Sequence, residues 1–517
     1  MNNKQGEQSS RTQKVAKNVA VSLVCQVIGL ILQFLCRVVF VHALGKEYLG
    51  VSGLFTNILT VLSFAELGIG SSIMFHLYRP LASGDHEKIK SLMALYKHAY
   101  QIIGTFIGVS GILLLPFLKL IVQTDIDIQE SLYVIYLLYL FNTVSSYFLS
   151  YKKSIIIADQ RVYIVNLYTQ LLNILQISLQ VIVLLVSKNF ILYLLIQICF
   201  TILVNIVISR RANKMYPELR EKNVAPLPPE ERREIFSNVR ALAVYKIGST
   251  VLNGTDNILV SAMFSVGDVG IVSNYLMINN AFSTILGKVT ESFTASVGNL
   301  NTSGNIDQRY RVFKDIFFLC AWLFGYVSIG MMLLSDQVVG YIFGAEYIVL
   351  PSVRCALVIS FYVSSMQYAA FSYRTTNGLF KQGKIAPACA AVLNIVLSVF
   401  LGSKIGLSGI FFATAISRFF TITITDGYLV YRKVFKMNPI KYYVKYFGFV
   451  GLFVVIYYVI EQVLQYVPSN GLLWIIAEIL IVTVLYHGIM ICLFHKTTEF
   501  QDIYQKACRL IFRPRNT

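Results

Sequence analysis

The chain has 517 residues, of which 56% are hydrophobic and 14% charged, against roughly a quarter charged in an ordinary soluble domain. That balance excludes a water-soluble globular protein. A formal net charge of +18 would suit nucleic acid if the basic residues lined one soluble face, but they sit in short gaps between apolar runs, which marks membrane topology.

Apolar runs near the ~20 residues that cross a hydrocarbon core recur from Val19 almost to Leu493. They predict an all-α membrane protein of about fourteen transmembrane helices, at 19–41, 50–74, 95–115, 131–150, 164–187, 190–208, 241–264, 271–295, 313–334, 351–372, 386–401, 407–429, 443–464 and 471–493. The first run is too long for the apolar part of a secretory leader and no small-residue cleavage site follows, so it is expected to stay as a helix.

With the N-terminus in the cytoplasm, the even-numbered connections hold most of the loop cations, among them Arg79, Lys88, Lys90, Lys152, Lys153, Arg210, Arg211, Lys381, Arg432 and Lys433. The odd-numbered connections hold little beyond Lys46, Lys119, Lys188 and Lys404, with acids such as Asp125, Asp127 and Glu130 beside them. This bias obeys the positive-inside rule and places both termini in the cytoplasm.

The longest polar connection, 209–240, is rich in proline and charge and reads as a boundary. It predicts an N-lobe of six helices at 1–215, a cytoplasmic linker at 216–240, a C-lobe of six helices at 241–432, and a last helix pair with a tail at 433–517. A shift of about 220 residues supports the repeat: Leu49-Gly50 falls on Val269-Gly270 and Ser83-Gly84 on Ser303-Gly304.

At the same offset a polar stripe recurs in the first helix of each half. Ser22, Gln26, Gly29, Gln33 and Arg37 share one face of the first helix, as do Lys246, Thr250, Asn253 and Asn257 in the seventh. Asn166, Gln170 and Asn173 form a similar stripe in the fifth. Repeated halves with polar stripes are transporter architecture, and a central aqueous cavity is their simplest destination. Each half also has a cytoplasmic amphipathic stretch, Ile89, Leu92, Met93 and Tyr96 after an Asp85 N-cap, and later Tyr310, Phe313 and Phe317. Either stretch fits an interfacial helix or an extension of the next span.

Ionisable groups within spans cost about 2.5–3.5 kcal/mol on insertion scales and usually face a cavity or a partner. Arg37, Glu66, Lys246, Asp256, Lys288, Glu291 and Arg418 are such groups, and Arg418 shares its face with Thr414, Thr421 and Thr425. Arg37, Lys246, Lys288 and Arg418, with Gln26, Gln33, Asn253 and Asn257, are the candidate cavity residues. Glu66, Asp256 and Glu291 are candidates for ion coupling or charge pairing. Lys288 and Glu291, three apart, also fit mutual neutralisation, and Lys246 also fits snorkelling to the interface.

Signals for catalysis are poor. Asp125-Ile126-Asp127 has a DxD form but falls in an expected external loop, and no GxxxxGK[ST] sequence occurs. His487, alone within a span, reads as a packed polar side chain. The eight cysteines lack CxxC spacing, so neither a disulfide nor a metal site is expected, and no cofactor is implied.

The stretch from Ala43 to Tyr100 resembles the second-helix region of Wzx-type polysaccharide-repeat flippases of the multidrug/oligosaccharidyl-lipid/polysaccharide (MOP) exporter superfamily. The residues that carry the likeness are Leu44-Gly45, Glu47-Tyr48-Leu49-Gly50, Leu54-Phe55, Glu66-Leu67-Gly68, Leu77-Tyr78, Pro80-Leu81-Ala82 and Lys88-Ile89, with a looser echo in Asp256, Val269-Gly270 and Tyr275. These sharp motifs cover the first fifth of the chain. The resemblance implies two six-helix lobes around a V-shaped cavity, a MATE-like fold, in the bacterial cytoplasmic membrane. Its implied cargo is an undecaprenyl-diphosphate-linked oligosaccharide for cell-surface polysaccharide, with a polymerase and glycosyltransferases of the same pathway as partners.

An anionic cargo also makes physical sense, since a diphosphate needs cations in a low-dielectric region and sugar hydroxyls need Asn, Gln and Thr. Many Wzx-type proteins are described with twelve helices, whereas fourteen, as counted here, is the number in the related lipid II flippases. A lipid II flippase is therefore the first alternative, followed by a drug or cation antiporter of the same fold and a membrane glycosyltransferase or polymerase.

Overall fold

The computed structural model describes residues 31–66, 69–118, 128–159, 161–221, 224–303, 305–377, 379–383, 385–467 and 471–512, with Val24, Ile28 and Gly29 before them. Helices, joined by short turns, are the only regular structure among the described residues. In lipid a helix satisfies its backbone polar groups by itself, which favours this choice over open sheets. Eight of these helices are long and apolar enough to cross a membrane. Fourteen spans are not reached by that measure: the first expected span lies partly outside the described residues, and others are shorter, interrupted or more polar.

The chain divides into two compact units, Met1–Gly270 and Ile271–Thr517. In the first, α1 is Ile31–Leu44, α2 Lys46–Leu62, α3 Ile69–Ser83 and α4 His86–Leu113. Then come α5 Leu132–Ser150, the short α6 Lys153–Ala158, α7 Val162–Val186, α8 Phe190–Met215, α9 Pro229–Gly254 and α10 Asp256–Met263. Helix α11, Val266–Ser303, starts in this unit and continues into the second.

Two expected spans in the first unit are interrupted. The second breaks where Ser63–Glu66 tightens into a 3₁₀ turn between α2 and α3, and the seventh breaks at Gly254 between α9 and α10. The expected linker is also partly helical. Pro229 opens α9, with Glu230 and Glu231 in its first turn, a start that suits both proline's fixed φ and the helix dipole.

The amphipathic stretch after Asp85 is the first part of α4, so it extends the next span. Asp85 caps it, its side chain accepting a hydrogen bond from the Lys88 amide, and Ile89, Leu92, Met93 and Tyr96 are buried in protein. The linker lies against this extension. Lys90 donates to Glu221 at 2.7 Å and to Glu87 at 2.6 Å, bonds that raise its pKa. Ser91 donates to the Ala225 carbonyl, His86 meets Glu218 and Lys88 pairs with Glu231.

Helices α2 and α11 cross almost at backbone contact. A Cβ on Gly50 would lie 1.9 Å from the Val266 carbonyl oxygen, and one on Gly270 2.2 Å from that of Lys46. Lipid offers no hydrophobic drive for helices to associate, so such small-residue crossings supply contact directly.

The second unit holds α12 Ile306–Phe343, α13 Pro351–Thr376, α14 Ala386–Ile405, α15 Leu407–Val434, α16 Ile440–Leu464 and α17 Leu472–Phe494, followed by α18 Thr498–Phe512. The second amphipathic stretch is likewise the first part of a long span, α12. Phe313 and Phe317 from it meet Tyr373, Tyr431, Phe435 and Tyr442 in a buried aromatic cluster. Pairs such as Phe313–Tyr373, edge to face at 5.3 Å, add about 0.5–1.5 kcal/mol beyond their area.

Helix α15 carries two widened π-type turns, Phe419–Thr423 and Val430–Val434. His487 on α17 accepts from the Trp322 indole at 2.8 Å and packs as a polar core side chain.

Candidate functional site

In the first unit, α1 buries Cys36, Phe40 and Val41 while Ile31 and Leu35 are exposed, which leaves Arg37 half-buried at the edge of the packed face. Arg37 acts electrostatically on the phenols of Tyr139 from α5 and Tyr193 from α8. Gln33, one turn earlier, is exposed. Gly29, before α1, comes close to α7, where a Cβ on it would lie 3.3 Å from the Gln170 side-chain oxygen.

Glu66 ends the 3₁₀ turn between α2 and α3, where the change in helix path sets its half-buried carboxylate against tyrosines. Tyr100 donates to one oxygen and Tyr147 to the other at 3.0 Å. Behind Tyr100 the chain continues through Tyr96 at 3.2 Å to Ser154, which donates to Tyr96 at 3.1 Å. Hydrogen bonds to a charged group contribute ~1.5–3 kcal/mol each. Tyr100→Phe is therefore expected to lower stability by about that amount, read as an earlier thermal transition in detergent, and an unchanged transition would show the clamp to be energetically idle.

Asp256 and Asn257, at the start of α10, are half-buried. Gln26 lies outside the described residues, as do Asp125 and Asp127, and the side chains of Lys246, Asn253, Lys288 and Glu291 are likewise outside the description.

In the second unit Arg418 is half-buried on α15. Thr414, one turn earlier, accepts a hydrogen bond from Asn394 of α14 at 2.8 Å and is buried. Part of the predicted Arg418 stripe is thus helix-packing surface.

Sequence reasoning missed the most buried charge in this unit. Arg374 Nε and Asp426 Oδ1 lie 2.7 Å apart with both side chains almost fully enclosed, and Gln367 donates to the other Asp426 oxygen at 3.4 Å. Arg374 lies two residues past the expected end of its span, so no window counted it as intramembrane. Asp426 lay inside its window and was a signal available to the sequence. Glu478, buried in α17 and hydrogen-bonded with Gln337, was overlooked likewise. At the opposite end of α12 and α13 from the Phe313 cluster, Asp336 pairs with Arg354 and accepts from Tyr275 at 2.7 Å.

No protein-family model and no curated protein sequence matches this chain. Solved structures do match in fold. A structure described as lipid II flippase MurJ in an inward closed conformation superposes with a TM-score of 0.65 at 16% identity, covering 92% of this chain and 98% of that one. An inward-facing multidrug-resistance MATE family transporter of the MOP superfamily gives 0.60 at 15% identity over 78% of this chain and 96% of its own. A point mutant of the Vibrio cholerae MATE transporter VcmN gives 0.55 at 13% identity over 83% of this chain and 100% of its own. The chain is a multi-pass membrane protein, helical throughout its regular structure among the described residues, with the fold of these MOP-superfamily transporter and flippase structures.

Proposed function

We propose that this protein is a flippase that carries a polyprenyl-diphosphate-linked oligosaccharide across the bacterial cytoplasmic membrane for cell-surface polysaccharide synthesis, with both termini in the cytoplasm. The observation that carries this reading is the extent of the fold match. The MATE exporters are matched almost whole yet leave about a fifth of this chain uncovered, whereas the MurJ match takes in 92% of it.

Charge supports the same reading. Asp336 and Asp426 are each paired with an arginine within their own unit, so these two acids are neutralised and not left for a cationic cargo. On this reading Arg37 and Arg418 serve the diphosphate of the cargo and the Asn, Gln and Thr stripes serve its sugar. Glycosyltransferases and a polymerase of the same pathway would hand over and receive it. The MurJ match gives weight to a second cargo of the same chemistry, lipid II.

Arg37→Ala or Arg418→Ala is expected to cut export ~10- to 100-fold, the worth of one charge-assisted hydrogen bond. Arg→Lys keeps the charge but not the bidentate fork and should retain part of it. The assay is surface-polysaccharide export in a deletion strain, with membrane abundance of each variant followed in parallel. Normal export from the double alanine variant at wild-type abundance would remove these residues from the proposal. Rescue of cells depleted of their lipid II flippase, without any effect on surface polysaccharide, would establish the second cargo instead.

A further inference from the structure

A second charged site lies away from these residues, where the first turns of α12 and α16 meet the end of α17 and the start of α18. Lys314 and Lys445 both reach one oxygen of Glu499, at 3.3 and 3.5 Å. Burial pushes the Glu499 carboxyl up, but its backbone hydrogen bond and the two ammonium groups together hold it below its ordinary value. Two cations share one carboxylate, which leaves the group one positive charge in excess.

Beneath the charges is an open cavity of about 320 Å³ with an aromatic floor of Phe317, Phe318, Phe449 and Phe494. The rings brace one another, Phe318 and Phe494 at 5.0 Å and Phe317 and Phe449 at 5.7 Å. Gly448 lines the cavity, and a Cβ there would meet nothing within 4 Å. Neighbouring Val444, Phe447 and Leu493 are exposed apolar residues, the kind of surface that faces lipid in a spanning helix.

We infer that this cavity is a binding site for an anionic phospholipid of the inner leaflet, with Lys314 and Lys445 on the phosphodiester, an acyl chain over the aromatic floor and Glu499 as the internal competitor. Charge complementarity identifies the occupant, because one phosphodiester monoanion brings the group to zero. A free phosphate would have no use for the floor, and an uncharged lipid none for the lysines. The positive-inside pattern puts these helix ends at the cytoplasmic surface, where anionic lipids attract basic segments. Helix α18 is anchored beside the cavity by Phe500, which stacks on Trp322 at 5.7 Å, and the sequence adds Lys506, Arg509, Arg513 and Arg515. The inference requires only that the protein spans a membrane with these helix ends at its cytoplasmic face, and is independent of the cargo.

Native mass spectrometry of the full chain in detergent, with phosphatidylglycerol or phosphatidylcholine of identical acyl chains added, tests it. Phosphatidylglycerol should be retained preferentially, and Lys314→Gln or Lys445→Gln should each lower its retention about fivefold, the worth of one lysine near an anionic surface. Glu499→Gln should raise it. Gly448→Trp fills open space, so it should block retention while leaving the thermal transition in place, which separates a filled site from a misfolded protein. Equal retention of the two lipids, or unaltered retention in the double lysine variant, would overturn the inference. So would displacement of phosphatidylglycerol by millimolar inorganic phosphate, which marks a bare anion site, or by a polyprenyl diphosphate, which marks a cargo site.

Discussion

Asp426→Ala is expected to remove most of the protein from the membrane. Arg374 is only 1% exposed and the change would leave its guanidinium enclosed without its carboxylate, a loss of about 3–5 kcal/mol, comparable with much of the 5–15 kcal/mol that holds a typical protein together. Asp426→Asn keeps the shape but not the charge and should be nearly as harmful. Exchanging both partners for apolar residues, Arg374→Met with Asp426→Leu, should recover abundance and thermal stability, because the desolvation of both ions disappears with them. Wild-type abundance of Asp426→Ala would contradict the argument. A double variant that is abundant but fails to export would assign the pair to the transport cycle, a role suggested by the widened turns on either side of Asp426, since such turns gather at functional sites.

The second large effect is expected at the crossing of α2 and α11. Alanine at Gly50 or at Gly270 drives a methyl into a carbonyl oxygen of the facing helix, and backbone cannot rotate away as a side chain can. Each substitution should cost ~1–3 kcal/mol through forced separation of the helices. The two costs should not add, because separating the helices once relieves both clashes. Gly330→Ala, where a Cβ meets nothing within 4 Å, is the control. Size-exclusion thermostability profiles of the two single variants and the double variant check this. Independent, additive losses would show that the clashes are relieved separately, and no loss in either single variant would refute the close crossing.

What the sequence disclosed depended on the range of the interaction. The Asp85 cap was legible because its partner is three residues away, and eight of the spans were legible because lipid imposes length and apolarity on each helix by itself. Gly50 and Gly270, which the sequence pairs at an offset of about 220 residues, also meet in space, each admitting the other helix's backbone. Tertiary chemistry was not legible. Tyrosines scored as apolar content turn out to donate to Glu66, and hydropathy windows separated Arg374 from Asp426 although folding joins them. The interruption at Ser63–Glu66 went unseen because that segment has neither proline nor glycine and the turn accompanies the seating of Glu66.

The charged stretch after α8 reads on composition as a tether, and a free tether of that kind would behave as a coil that stores slack. Its anchors at Glu218, Glu221, Ala225 and Glu231 hold four residues of the first two turns of α4, His86, Lys90, Ser91 and Lys88, so the slack is taken up. The segment is built as a harness: a displacement of α9 would pull on the first turns of α4 before any coil could absorb it.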